Sequence, residues 1–386
     1  MSFTVRNHYV PQWYQKRFFV PGSGQSRLYY LDLAPDTIEL PNGKTTTRKA
    51  LRQLGPVNCF MQDHLYTLSF GKYAFDVIEK QFFGAIDDAG AVAVPFFADY
   101  DMREGVHEAF EGMRDFLAAQ LFRTPKGLGM LKSLSNAKTH QETLIALQKY
   151  WPLYVTIWME SVWAIVKCTQ TKTKFIISDS PVTTYNRQVF PGSAEVRNYG
   201  MSHIERIGTH TLFPIDLEHC LVITNLQYVR NPNVNPLKVR ENPRYFAPTH
   251  FDLRKIQRNQ ELDEQEVLSI NHILKSHAKR YIAAADQEWL YPERYLKTLF
   301  WPKLGGKYFL HPDPRKVSFS TAIISGGPKG AMGFNEYGHF DLDGPRALEL
   351  RKVEWRTFQA AKDAWDERDR RAGREPPNMS DLKDYW

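Results

Sequence analysis

The chain has 386 residues, 42% of them hydrophobic and 13% aromatic, which is ample for a core and excludes a generally disordered protein. A formal charge of +7 is a modest excess, a bias towards acidic partners such as nucleic acid that does not name one. Cys59, Cys168 and Cys220 are odd in number and show no CxxC spacing, so neither a complete disulfide framework nor a zinc site is expected. They read as small buried apolar residues in a reducing cytosol. No apolar run reaches the roughly 18 residues that a bilayer span needs, and the N-terminus carries no apolar signal core. The expectation is a cytoplasmic protein that needs no membrane, no metal and no cofactor.

Asn7-His8-Tyr9-Val10-Pro11-Gln12-Trp13-Tyr14, followed by Arg17-Phe18-Phe19, carries too much apolar surface for a frayed terminus. It is expected to dock into the body and to take His8, Gln12 and Arg17 with it. Arg27–Leu33 and Thr37–Leu40 around Ala34-Pro35-Asp36 predict a hairpin, and Asp63–Leu68 a further short strand. A helical period begins near Tyr73 with Phe75, Ile78, Phe82 and Ile86. A stronger one runs through Val106, Phe110, Met113, Leu117 and Leu121, stopped by Thr124-Pro125-Lys126-Gly127. Residues 137–170 predict one or two helices broken near Trp151-Pro152, since proline fits a first helical turn better than an interior. Lys174–Ser178 and His219–Thr224 read as strands. Val267, Ile270, Leu274, Ala278 and Tyr281 mark a long amphipathic helix.

Beyond Trp301 the composition shifts to Gly, Pro and Lys, and Arg346 to about Arg371 reads as a charged helix with a thin stripe of Trp355, Phe358 and Trp365. The expected fold class is α+β: a helix-dominated main domain over 1–300, with a small β-hairpin or antiparallel sheet. Residues 301–386 form a helical appendage that packs on the body or across a homodimer.

Four segments, in this order and spacing, resemble a bacterial family known as domain of unknown function 4238. They are Asn7–Gln12 with Arg17-Phe18; Phe116–Pro125; Phe175–Val182; and Ile270-Asn271 with Ala278–Ile282. The resemblance spans roughly residues 5–284. It implies no established chemistry, but a scattered distribution of the accessory or defence-gene kind, which favours a toxin-like or nucleic-acid-directed role. The family's third motif more usually has Asn where this chain has Ser180.

His8 is the best single acid–base candidate because imidazole titrates near neutrality; alternatively it anchors the terminus. Asp179 closes a strand, a common catalytic position and equally an ordinary Asx-type turn before proline. Gln120 and Asn271 lie on apolar helix faces, where a buried amide needs partners at a cost of about 1–3 kcal/mol if it has none. Arg123 and Arg280 sit near helix C-termini, where a cation is favourable anyway, or present a guanidinium to phosphate or carboxylate. His203, His210 and His219 are scattered, without zinc-like spacing.

Two readings follow. In the first, the protein is an intracellular effector acting on nucleic acid, a metal-independent nuclease or other phosphodiester hydrolase. His8 is then the acid–base group, Asp179 orients it, Arg17 and Arg123 stabilise phosphate charge, and Gln12, Gln120, Asn271 and Arg280 position substrate. In the second, the same motifs are a structural clasp in a non-enzymatic interaction or small-ligand-sensing module whose partner protein is unknown. Convergence of the four segments in space is expected on both.

Overall fold

The computed structural model describes residues 6–66, 83–225 and 256–305 apart from isolated positions, together with 68–70, 73–75, 249–251, 253, 321–327, 330–335, 338–339 and 371. Two sheets organise it. A four-stranded antiparallel sheet has the order Ile177–Ser178, Tyr281–Ala284, Leu28–Asp32, Leu51–Leu54. Its strands come from three distant parts of the chain. A five-stranded sheet has the order Thr183–Tyr185, His210–Pro214, His219–Thr224, Val162–Lys167, Gln257–Glu261, antiparallel except for its last, parallel pair. Its inner strands read as continuous apolar runs and are buried on both faces.

Helices cover these sheets: α1 (Gln12–Lys16), α2 (Gly84–Ala98), α3 (Val106–Phe122), α4 (Pro125–Ser135), α5 (His140–Met159), α6 (Ala194–Tyr199) and α7 (Glu264–His277). The α3 stripe behaves as its spacing predicts, with Phe110, Met113, Phe116, Leu117 and Leu121 all in the core. α7 starts at a capping box, in which Asp263 accepts from the Glu266 N–H and Glu266 accepts from the Asp263 N–H, both at 2.9 Å. The aromatic terminus docks as expected. Tyr9, Val10, Tyr14 and Phe18 are buried, and Tyr14 stacks on Phe213 with ring centroids 5.2 Å apart.

The expected fold class is overturned. The fold is mixed α/β with strands in several sheets, not a helix-dominated body with one small sheet. The strands that sequence reading missed or misjoined are short, and several pair across long sequence separations, so local period does not betray them. The expected hairpin at residues 27–40 does not close. Leu28–Asp32 pairs with Leu51–Leu54 and Tyr281–Ala284, while Thr37–Glu39 pairs with Thr45–Thr47. Asp32 instead accepts from the Ala34 N–H at 3.0 Å, an Asx turn that leads the chain away.

Three smaller expectations also change. Thr124-Pro125-Lys126-Gly127 ends α3 and begins α4, with Thr124 as a true N-cap accepting from Gly127 N–H at 3.0 Å. Pro152 lies inside α5, not at a break: buried Leu144, Leu147, Tyr154, Ile157 and Trp158 on both sides of it hold the helix against the lost hydrogen bond. Tyr281 belongs to a strand, since α7 stops at His277. In the Gly/Pro-rich stretch, Thr321–Gly327 pairs with Thr249–Phe251 and with Gly330–Asn335. The charged helix expected from Arg346 lies outside the described residues, apart from Arg371.

Candidate functional site

The four family segments meet, and they do so through buried polar bonds. Gln120, on the core side of α3, donates from Nε2 to the Tyr9 carbonyl at 2.8 Å and so holds the N-terminal segment. Its Oε1 accepts from Arg123 Nε and Nη2. Arg123 is 1% exposed, pairs with Asp87 at 2.7 Å, and lies over the rings of Phe116 and Phe83. Desolvation of this kind is tolerable for a guanidinium only when its donors are matched. Here an amide, a carboxylate and two aromatic faces match them, so Arg123 and Gln120 are spent on the fold.

Asp179 is the second knot. Its carboxylate accepts from the main-chain N–H groups of Lys279, Arg280 and Tyr281 at 2.8, 2.7 and 2.9 Å, clamping the turn between α7 and the strand Tyr281–Ala284. Burial pushes the carboxyl above the usual range, against the pull of those three donors and of Lys126 nearby. Asn271 is the third. Its Oδ1 accepts from Ile176 N–H at 3.2 Å and its Nδ2 donates to the Lys174 carbonyl at 2.8 Å, imitating a strand neighbour for Lys174–Ile176. That segment therefore runs extended although only Ile177–Ser178 is a paired strand.

Lys126, on the first turn of α4, joins these knots. Its Nζ donates to the His277 carbonyl at the C-terminus of α7, and burial lowers its pKa to about 8, with Asp179 opposing the shift. His277 is fully buried and its imidazole is held well below the usual range by burial and by the Lys126 charge. Ser180 Oγ, in the neighbouring turn, has no hydrogen-bond partner among the described residues. Neither Lys126 nor His277 was singled out from the sequence. A lysine after Thr-Pro and a histidine at a helix end carry no spacing that separates them from surface residues.

The remaining candidates lie nearer the surface. His8 is half-buried and its Nε2 contacts the Val57 carbonyl at 3.1 Å, in a short strand paired with Met61–Asp63. Gln12 is half-buried at the start of α1. Arg280 makes a fork to Asp32, at 2.9 Å from Nε and from Nη2, and reaches Asp36 at 2.8 Å. The guanidinium expected to position substrate is thus bound to two carboxylates of the chain itself.

Arg17 differs. Tyr14 donates to the Pro214 carbonyl, which sets α1 against the end of the five-stranded sheet. There Arg17 donates from Nε to the Ile215 carbonyl and from Nη2 to Asp216 Oδ2, both at 2.9 Å. Asp216 Oδ1 accepts from the Glu218 and His219 N–H groups and from His219 Nδ1, each at 2.9 Å. Burial opposes ionisation of Asp216. The His219 and Glu218 hydrogen bonds, with the His219 and Arg17 charges, outweigh it and hold the carboxyl below the usual range. Asp216 and His219 were not among the sequence candidates. The signal available was Asp-x-x-His at a turn between two apolar strands, and His219 was judged only for metal spacing.

Among the described residues, no helix is long and apolar enough to cross a membrane. Comparison with curated proteins and with solved structures gives no match. The family model described as protein of unknown function (DUF4238) matches residues 6–288, covering all four converging segments, and the chain belongs to that family.

Proposed function

We propose that the four family segments form a structural clasp, the scaffold of an interaction or small-ligand-sensing module, and not a catalytic site. One observation carries this reading: the three backbone donors at 2.7–2.9 Å use both oxygens of Asp179, the residue a catalytic reading would need free. Gln120, Arg123, Asn271 and Arg280 are committed in the same way, each to named partners within the chain. A carboxylate so bound orients backbone, and both its oxygens are already engaged.

Asp179→Asn tests it. Replacing one acceptor oxygen with an N–H₂ group sets donor against donor, so the variant is expected to melt at lower temperature and to lose any function in proportion. A variant that melts like the parent but selectively loses nucleic-acid cleavage would overturn the reading.

The second reading is an effector acting on nucleic acid as a metal-independent phosphodiester hydrolase. It is favoured by the formal charge of +7 and by Arg17, which lies beside a carboxylate and an imidazole. Its residues differ from those expected: Asp216 and His219 stand where Asp179 and His8 were assigned. Fluorescent RNA and DNA oligonucleotides incubated in excess chelator test this reading directly. Cleavage supports it, and intact strands exclude it.

A further inference from the structure

We infer that Arg17, Asp216 and His219 form an acid–base site for a phosphodiester, an assignment that rests on the second, nucleic-acid-directed reading. Three observations support it. First, the side chains are 20%, 18% and 23% exposed, so they reach solvent, whereas Gln120, Arg123, Asp179 and Asn271 of the clasp are buried. Second, the turn is already closed by the main-chain bond from Ile215 N–H to the His219 carbonyl and by Asp216 Oδ1 with the N–H groups of Glu218 and His219. The imidazole and the guanidinium are additional partners that the turn does not require. Third, the group sits where the central strands His210–Pro214 and His219–Thr224 join, a rigid support that loops lack.

The geometry sets the chemistry. A carboxylate can only accept, so His219 Nδ1 carries the proton and Nε2, on the far side of the ring, carries the lone pair. Asp216 is thus a positioning residue that fixes the orientation and tautomer of the ring. Arg17 spends two of its guanidinium N–H donors on Ile215 and Asp216. Its remaining donors and its permanent charge suit a phosphate oxygen.

The other charged groups around the site are balanced. Lys167 lies directly across from His219 in the antiparallel register, with Glu261 its partner on the following strand. Lys174 pairs with Glu218 at 2.8 Å. A singly charged phosphodiester fits such a patch, because Arg17 supplies one permanent positive charge and its unspent donors.

In the step inferred, water attacks phosphorus, a new P–O bond forms and the P–O bond to the leaving oxygen breaks. His219 Nε2 takes the proton of the water and returns a proton to the leaving oxygen, while Arg17 stabilises the charge on the non-bridging oxygens. No metal is consumed or required by this balance.

The test uses the full chain in chelator with bis(p-nitrophenyl) phosphate as the minimal diester and labelled single-stranded RNA and DNA as polymers. Imidazole NMR shifts of His219 are followed while inorganic phosphate is added. The expected result is diester hydrolysis that falls on the order of 100-fold or more in His219→Gln at unchanged melting temperature. Asp216→Asn is expected to displace the pH–rate profile as well as its height, which a merely structural loss would not do. If His219→Gln fails to fold, the phosphate titration of the parent protein decides: a shift confined to His219 and Arg17 supports the site, and no shift overturns it. Hydrolysis of the small diester with intact oligonucleotides keeps the site and rejects the nucleic-acid reading. Oligonucleotide cleavage that survives His219→Gln rejects the site and keeps the reading.

Discussion

Gln120 accepts the guanidinium of Arg123 on Oε1 and passes the constraint through Nε2 to the carbonyl of Tyr9. One amide therefore satisfies a buried cation and anchors an N-terminal segment 111 residues away. Gln120→Leu leaves Arg123 buried with Asp87 as its remaining side-chain partner. The expected loss is about 2–3 kcal/mol in urea unfolding, since two buried guanidinium donors lose their acceptor while the charge stays paired with Asp87. Gln120→Leu with Arg123→Met should lose less than Gln120→Leu alone, and a larger loss in the double variant would contradict the pairing.

His8→Ala should behave oppositely. Its side-chain hydrogen bond among the described residues is to the exposed carbonyl of Val57, so removal is expected to change stability by less than about 1 kcal/mol. A thermal shift above that would show that His8 belongs to the clasp.

The buried ammonium of Lys126 makes stability depend on pH in a stated direction. Its pKa is lowered in the folded chain, to about 8 from the model-peptide 10.5, so between these values the unfolded state binds more protons than the folded state. Stability from this group therefore rises as pH increases through about 8 to 9.5, below the range where tyrosines ionise. Lys126→Met should remove that slope in chemical denaturation, and a slope identical to the parent's would refute it.

Gly127 follows Lys126 in the first turn of α4, where a Cβ would stand 1.9 Å from the Leu121 carbonyl oxygen. Backbone cannot move aside as a flexible side chain can. Gly127→Ala is expected to cost more than about 3 kcal/mol, measured by the denaturation midpoint, and near-parental stability would show that the α3–α4 junction adapts.

Local pattern carried part of this protein. The stripe of α3, the run His219–Thr224 and the docking of an aromatic terminus follow from spacing and burial, because side-chain periodicity and apolar area are properties of neighbouring residues. The four family segments could be seen to belong together, yet their roles could not. Asp179 reads alike as a strand-end catalyst or a turn, and only the amides of Lys279, Arg280 and Tyr281, about 100 residues away, decide between them. The sheet order was equally hidden, since Leu28–Asp32 finds its partners at Leu51–Leu54 and Tyr281–Ala284 rather than at the adjacent Thr37–Glu39. Arg17 meets Asp216 and His219 only because α1 docks at the end of a sheet built from residues nearly 200 positions later. Such partners are chosen by long-range packing, where free energy depends on which surfaces meet, and one-dimensional spacing holds no record of that choice.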